Sequence, residues 1–149
     1  MVGKKFIDKP SACVVCEAGQ YQPSNSVASA ECAPCSAGFF NTEQQSSTCS
    51  SCATGQYQGS TGQTKCDDCG QGTAAASAAS SSCTACVQGR FQDESPALNY
   101  GCKICVKGKY AGTTSLHACV ECATGLFLAD STETESKHDS VDDCLACEI

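Results

Sequence analysis

The amino-acid sequence predicts a small disulfide-rich fold with little regular structure, a linear array of seven short β-hairpin-like loops that forms an extended rod. Three observations lead to this prediction. The chain carries 16 cysteines in 149 residues, a density typical of disulfide scaffolds. All of them stand in C-x-x-C pairs that recur at a nearly constant spacing. Large apolar side chains are scarce, with no Trp and one Met, so cross-links have to replace a single large core.

The repeat is C-x-x-G-x-aromatic, closed by the next C-x-x-C. Seven copies open at Cys16, Cys35, Cys52, Cys69, Cys86, Cys105 and Cys122. Three residues later each has a glycine: Gly19, Gly38, Gly55, Gly72, Gly89, Gly108 and Gly125. Six copies have an aromatic two residues further on, and the fourth has Ala74 instead: Tyr21, Phe40, Tyr57, Phe91, Tyr110 and Phe127. A fixed period of this kind indicates a tandem array.

The seven loops span residues 16–32, 35–49, 52–66, 69–83, 86–102, 105–119 and 122–144, and their lengths differ only by even numbers of residues. Side chains of an extended chain alternate between two faces, so an even insertion keeps later residues on their original face. This parity favours short strands over helices. The chain therefore divides into a lead-in segment, residues 1–12, with a short edge strand expected at Phe6-Ile7, and tandem repeats over residues 13–147.

Each part of the repeat has an expected role. The glycine allows either a positive φ or a close approach of backbone to the disulfide. The aromatic can pack on the neighbouring cross-link. The fourth loop, rich in Ala, Ser, Thr and Gly, is expected to be the least well packed. Each repeat is expected to contact only its neighbours, as in other linear arrays.

Composition points to the outside of the cell. Disulfides persist in oxidising compartments, so we expect an extracellular or cell-surface location. The net charge of −7 argues against nucleic acid as a partner, because phosphate binding needs clustered Lys and Arg. No apolar run reaches membrane-spanning length. The first ten residues are basic but contain no apolar stretch of a signal peptide, which is at odds with secretion unless the chain is processed.

The pattern over residues 13–147 resembles the cysteine-rich repeats of ephrin-receptor-like domains. It is also similar to the A1 module of tumour-necrosis-factor receptors and to the C-x-x-C arrays of protist surface antigens. The resemblance implies that the second cysteine of each C-x-x-C bonds the first of the next: Cys16–Cys32, Cys35–Cys49, Cys52–Cys66, Cys69–Cys83, Cys86–Cys102, Cys105–Cys119 and Cys122–Cys144. On the chain-entropy model each such bond stabilises by about 3 kcal/mol.

This pairing leaves Cys13 and Cys147 without partners, one near each end. One explanation is that the chain is cut from a longer array. The other is intermolecular pairing, head to tail, which a leftover cysteine in a secreted chain can indicate. The basic lead-in and the acidic residues 130–149 are electrostatically complementary, which favours the second explanation.

Zinc is the rival chemistry, since C-x-x-C pairs at this spacing also suit four-cysteine sites. Four such sites would use all 16 cysteines: Cys13/16/32/35, Cys49/52/66/69, Cys83/86/102/105 and Cys119/122/144/147. Every gap between pairs looks alike, however, whereas zinc modules should alternate between knuckle and linker. We therefore expect no metal and no cofactor.

No catalytic pattern is present. A redox C-x-x-C occurs once near a βαβ pattern, not in tandem. His117 and His138 are the only histidines, and no motif of a hydrolase surrounds them. The acidic last loop lacks the spacing of an EF-hand and is expected to be a solvated face.

The sequence therefore predicts a non-enzymatic structural subunit of an extracellular or cell-surface fibre, assembling head to tail with copies of itself. The alternative is a fragment of a receptor-like or adhesion ectodomain that binds a partner; an intracellular zinc protein is the third hypothesis. Asn25, Asn41 and Asn99 do not stand in N-glycosylation sequons, whereas the Ser- and Thr-rich loops are candidate sites for O-linked glycans.

Overall fold

The computed structural model describes residues 4–6, 13–23, 31–95, 101–129 and 134–147; for residues 4–6, 13 and 14 it describes the backbone alone. Within these ranges no helix has the length and hydropathy needed to span a membrane.

Regular structure consists of very short strands. In each repeat one strand holds the residue after the glycine and the aromatic slot, and the other holds the two residues between the closing cysteines. The glycine turn limits the first strand of each repeat to two residues, and the two cysteines limit the second. Only β1 and β2 have three residues. The strands are β1 Lys4–Phe6, β2 Cys13–Val15, β3 Gln20–Tyr21, β4 Ala33–Pro34, β5 Phe39–Phe40, β6 Ser50–Ser51, β7 Gln56–Tyr57, β8 Asp67–Asp68, β9 Thr73–Ala74, β10 Thr84–Ala85, β11 Arg90–Phe91, β12 Lys103–Ile104, β13 Lys109–Tyr110, β14 Val120–Glu121, β15 Leu126–Phe127 and β16 Leu145–Ala146.

The strands pair as antiparallel hairpins with one register. β3 pairs with β4, β5 with β6, β9 with β10, β11 with β12, β13 with β14 and β15 with β16. In each pair the aromatic slot faces the first residue after the closing cysteine, as Phe40 faces Ser50. The strand expected at Phe6-Ile7 is found at Lys4–Phe6, where β1 pairs with β2 and Lys5 faces Val14; Ile7 lies outside the described residues.

Seven disulfides close the loops: Cys16–Cys32, Cys35–Cys49, Cys52–Cys66, Cys69–Cys83, Cys86–Cys102, Cys105–Cys119 and Cys122–Cys144. These are the pairs that the resemblance implies. A disulfide-rich tandem array of short hairpins is thereby confirmed.

The chain divides into two compact units, Met1–Asp67 with Ser77–Ser82, and Asp68–Ala76 with Cys83–Ile149. In the first, the opening cysteines Cys16, Cys35 and Cys52 are fully buried. In the second, the fully buried cysteines are joined by small and apolar side chains: Cys69, Cys86, Cys105, Ala74, Ala75, Ala111 and Leu128. Sulfur atoms thus take the place of the missing large side chains.

In the fourth loop the aromatic slot is filled by a buried alanine. Ala74 is only 5% exposed, whereas the aromatics in the equivalent slots are half-buried or exposed. A small side chain is covered completely where a ring projects beyond its neighbours. That the fourth loop as a whole is the least well packed stays a prediction.

The last loop contains the helical residues of the array. Two 3₁₀ helices, Glu135–Lys137 and Val141–Asp143, occupy the extra length before Cys144. Ser140 caps the second: its side chain accepts from the Asp142 N–H, and its own N–H donates to the Asp143 carboxylate at 3.0 Å. Part of the acidic cluster is therefore used for capping.

Candidate functional site at the C-terminal edge

The repeat glycine makes room for backbone from another loop. Gly38 has a φ of +83°, and a Cβ added there would lie 2.2 Å from the carbonyl oxygen of Ala79. We call the space that such a Cβ would fill the glycine site. Gly38 belongs to the second loop and Ala79 to the fourth. The same relation links Gly19 to Gly62, Gly72 to Ser115 and Gly89 to Glu135.

These contacts correct one expectation and refine another. A repeat contacts the loop two positions further along as well as its neighbour. The expectation that each repeat contacts only its neighbours is therefore wrong. The positive φ is found, and the backbone that approaches the glycine comes from a later loop. Substitution at such a position is strained both by φ and by overlap.

In three of the four pairs, the residue that fills a glycine site lies four positions before its own closing cysteine; Glu135 lies nine positions before Cys144. Two of the filling residues, Ala79 and Ser115, are not glycine and have a positive φ of 59° and 62°, and Gln45, at the same position of the second loop, has a φ of 61°. The N–H of Ala79 donates to the Cys52 carbonyl at 2.9 Å, and that of Ser115 to the Cys86 carbonyl at 2.8 Å. Strained backbone persists where surrounding contacts hold it, and these bonds do so here.

Three hydrogen bonds join one loop to the next, and we call such a set a junction. From the second loop to the third, Gly38 N–H donates to the Gln58 carbonyl at 2.7 Å, and Asn41 N–H to the Gln63 carbonyl at 3.1 Å. The third bond runs back, from Gly62 N–H to the Cys35 carbonyl at 2.8 Å. Equivalent sets of three join the first loop to the second and the fifth to the sixth.

A further repeat position follows the aromatic slot. It is buried in all seven copies: Gln22, Asn41, Gln58, Ala75, Gln92, Ala111 and Leu128. Gln58 shows its use, since its side-chain amide donates to the Lys65 carbonyl at 2.9 Å and accepts from the Ser60 N–H at 3.0 Å. The amide thus joins both sides of one loop. Sequence analysis missed this position, although Gln or Asn in four of seven copies was a visible signal.

Charged pairs lie on the surface of the fifth hairpin. Lys103 Nζ is 2.7 Å from Asp93 Oδ1 and 2.9 Å from Glu94 Oε1. The hydrogen bond from Lys103 lowers the pKa of Asp93 below its usual 3.8. The bonds to Asp93 and Glu94 raise the pKa of Lys103 above its usual 10.5. Arg90 also pairs with Glu135 of the last loop.

The last loop attaches to the sixth through His138. Its carbonyl accepts from the Ala111 N–H at 2.7 Å, and its Nδ1 is 2.8 Å from the Lys109 carbonyl oxygen. The side chain is fully buried. His138 therefore has a packing role that sequence analysis did not assign, because a lone histidine in an acidic run carries no such signal.

Within the described residues the stacking pattern ends at the last loop and leaves an open edge. A Cβ at Gly108 or Gly125 would meet no described atom within 4 Å. Among the described residues, the N–H groups of Gly125 and Leu128 and the carbonyl of Cys122 lack the junction bonds that their counterparts in the first, second and fifth loops make. We call Cys122, Gly125, Phe127, Leu145 and Cys147 the C-terminal edge.

Apolar side chains are exposed to solvent at this edge. Phe127 is 42% exposed and Leu145 is 55% exposed. Together with Ala146 and Cys147 they line an open groove of about 650 Å³. Repeat arrays ordinarily cover the exposed faces of their terminal repeats with polar capping repeats.

Cys147 is the free cysteine within the described part of the chain, and it is exposed. It lies directly after β16 and beside the groove. The second leftover cysteine, Cys13, has a described backbone in β2, but its side chain lies outside the described residues. The predicted pairing of these two cysteines between molecules stays a prediction.

The zinc alternative conflicts with this covalent pattern. Zinc binds thiolates, and 14 cysteines are disulfide-bonded in the seven cross-links. In the ranges that the structure covers, no three His, Cys, Asp or Glu side chains are grouped as metal ligands. Of the acidic last loop, Asp130 and Glu133 lie outside those ranges.

Comparison with known proteins agrees with the repeat geometry. A family model described as tyrosine-protein kinase ephrin type A/B receptor-like matches residues 41–86, which cover less than a third of the chain. No curated protein matches the chain. The match indicates an extracellular module of the receptor-ectodomain type, in line with the many disulfides. Residues 41–86 are thus similar to the ephrin-receptor-like cysteine-rich repeat, as the spacing of cysteine, glycine and aromatic residues implies.

Proposed function

We propose that this chain is a non-enzymatic structural subunit of an extracellular or cell-surface fibre, which assembles head to tail. One observation carries the proposal: an exposed free cysteine, Cys147, lies on an uncovered apolar edge of the last repeat. A head-to-tail contact that does not close into a ring generates a filament. The partner residue is Cys13 of a second copy.

The covalent link forms by thiol–disulfide exchange with a small-molecule disulfide as the oxidant. The Cys147 thiolate attacks that disulfide and releases one small thiolate. The Cys13 thiolate of the next copy then attacks the mixed disulfide at the Cys147 sulfur and releases the second. Two protein thiols are oxidised, each losing its proton to solvent, and one small disulfide is reduced to two thiols.

A denaturing, non-reducing gel of alkylated protein from its natural source tests the proposal. We expect a ladder of multimers without labelled thiols. In the Cys13→Ser or the Cys147→Ser variant the ladder should be replaced by monomers. A wild-type monomer would overturn the covalent fibre. A monomer with 16 labelled thiols would also overturn the oxidised fold and restore the zinc hypothesis.

A second function is favoured by the family match: a segment of a receptor-like or adhesion ectodomain that binds a partner. The observation behind it is the similarity of residues 41–86 to an ephrin-receptor-like repeat. On this hypothesis the alkylated protein runs as a monomer with the two leftover thiols labelled. A cell-binding assay with that monomer should then give saturable binding; its absence would contradict the hypothesis.

We also propose O-linked glycans on the Ser- and Thr-rich loops, in clusters such as Ser80-Ser81-Ser82. Ser81 and Ser82 are exposed. Intact mass of the natural protein tests this: sugar increments are expected, and an unmodified mass would refute the modification.

A further inference from the structure

We propose that the C-terminal edge binds the β1–β2 hairpin of a second copy as the next repeat of the stack. This inference rests on the proposed head-to-tail assembly and names the surfaces that meet. It concerns a non-covalent interface, which exists with or without the Cys13–Cys147 bond.

The chemistry of the edge defines what fits it. At an internal junction the N–H of the repeat glycine donates to a carbonyl of the next loop, that of the residue after the aromatic slot. Gly38 N–H donates to the Gln58 carbonyl in this way. At the edge, Gly125 N–H and Leu128 N–H are the two donors of that pattern, and the Cys122 carbonyl is its acceptor. A surface that fits this pattern is another hairpin of the same register, whose residue after the aromatic slot offers its carbonyl to Gly125 N–H.

The β1–β2 hairpin has that register. Its strands align Lys4 with Val15 and Lys5 with Val14, as Gln20 aligns with Pro34 and Tyr21 with Ala33 in the first loop. Lys5 thus stands in the aromatic slot. Phe6 is then the residue whose carbonyl accepts from Gly125 of the other copy, in the place that Gln58 takes for Gly38.

The hairpin and the edge are complementary halves of one repeat. Cys13 is a closing cysteine by its position in C-x-x-C. Cys147 is an opening cysteine by the same rule. When the hairpin stacks on the edge, Cys147 and Cys13 take the positions of the opening and closing cysteines of one loop.

Charge supports the same pairing. The hairpin carries Lys4 and Lys5, whereas the groove beside the edge contains Asp142 and Asp143 with Lys137 as its one cation. Opposite charge on the two surfaces steers association and fixes its orientation.

The test uses the full chain with Cys13→Ser and Cys147→Ser, so that no covalent link contributes. Two variants are made in this background. Gly125→Ala fills the glycine site of the edge and leaves the hairpin intact. Lys4→Glu with Lys5→Glu alters the hairpin and leaves the edge intact. Gly70→Ala is the control, since a Cβ there meets nothing within 4 Å.

Sedimentation velocity over a concentration series measures association. We expect the background protein and the Gly70→Ala control to form salt-sensitive oligomers, and each altered variant alone to associate at least tenfold more weakly. An equal mixture of the two variants should form dimers and nothing longer, because only one intact edge and one intact hairpin can meet. Restored dimers also show that both variants are folded.

Undiminished association of the Gly125→Ala variant, or absence of dimers in the mixture, would overturn this interface. If wild-type protein still forms covalent multimers in that case, the fibre stands and only the stacking register fails. If instead the wild type is monomeric on the non-reducing gel while the cysteine-free variants behave as expected, the interface stands and the covalent link fails.

Discussion

At the scale of single residues, the repeat glycine is constrained twice, by its φ and by a carbonyl from a later loop. Gly38→Ala should destabilise the fold by about 2–5 kcal/mol, combining a left-handed alanine with an overpacked contact. The matched control is Gly125→Ala, which has a φ of +88° and no neighbour within 4 Å, and should cost only about 1–2 kcal/mol. Denaturant unfolding of the monomer measures both. Equal losses would show that overlap with Ala79 contributes nothing.

The buried amide after the aromatic slot supports a second prediction. Gln58→Ala removes bonds to Lys65 and Ser60 and leaves their backbone groups without this partner, so we expect a loss of about 1–3 kcal/mol in unfolding free energy. Gln63→Ala is the control, because that side chain is exposed and bonds only to its own loop at Thr61. A loss no larger than the control's would mean that the amide is dispensable.

The Asp93–Lys103 pair sets a pH dependence. The pKa of Asp93 is lowered by Lys103, so its contribution to stability is present above the usual 3.8 and is lost as pH falls through the folded value. The pKa of Lys103 is raised, so its contribution is complete below 10.5 and is lost as pH rises through the folded value.

NMR titration of the Asp93 carboxyl measures this pair. In Lys103→Met the pKa of Asp93 should rise toward 3.8, because the hydrogen bond from Lys103, which lowers that pKa most, is gone. Lys65→Met, which removes a 3.8 Å contact to Asp67, should leave the Asp93 titration unchanged. An unaltered curve in Lys103→Met would contradict the assignment.

At the scale of elements, each of the seven loops is closed by one disulfide. Cys35→Ser with Cys49→Ser should lower the unfolding free energy by about 3 kcal/mol on the chain-entropy model for a loop of this length, and more if the buried Cys35 site does not accept a hydroxyl. Cys147→Ser is the control, since that cysteine is exposed and in no disulfide. Thermal unfolding of the monomers distinguishes the two, and matching midpoints would contradict the prediction.

Sequence alone predicted the hairpins, because cysteine spacing and the Gly-x-aromatic pattern are local. It did not predict where the glycine sites are filled, since Gly38 and Ala79 are related by stacking and share no local motif. Nor did it find the role of His138, which depends on the Lys109 and Ala111 backbone of another loop. The open edge was visible only as a leftover Cys147; its unused donors on Gly125 and Leu128 required the structure.

At the scale of the whole molecule, contacts that skip a repeat extend the range of any perturbation. Gly89→Ala places a Cβ 2.3 Å from the Glu135 carbonyl oxygen, so amide exchange should accelerate in the fifth loop and also in the last, residues 122–144. Hydrogen exchange read by mass spectrometry measures this, with Gly70→Ala as the control. Acceleration confined to residues 86–119 would show that coupling reaches only the adjacent loop.

Contact between a loop and the loop two positions further along also sets the order of disulfide formation and packing during synthesis. The Gly19 site is filled by the Gly62 carbonyl, so the first loop reaches its final packing only after the third has left the ribosome. Cys16 and Cys32 can bond long before that, because they close a local loop. Oxidation of the first loop therefore runs ahead of its packing, which the third loop completes.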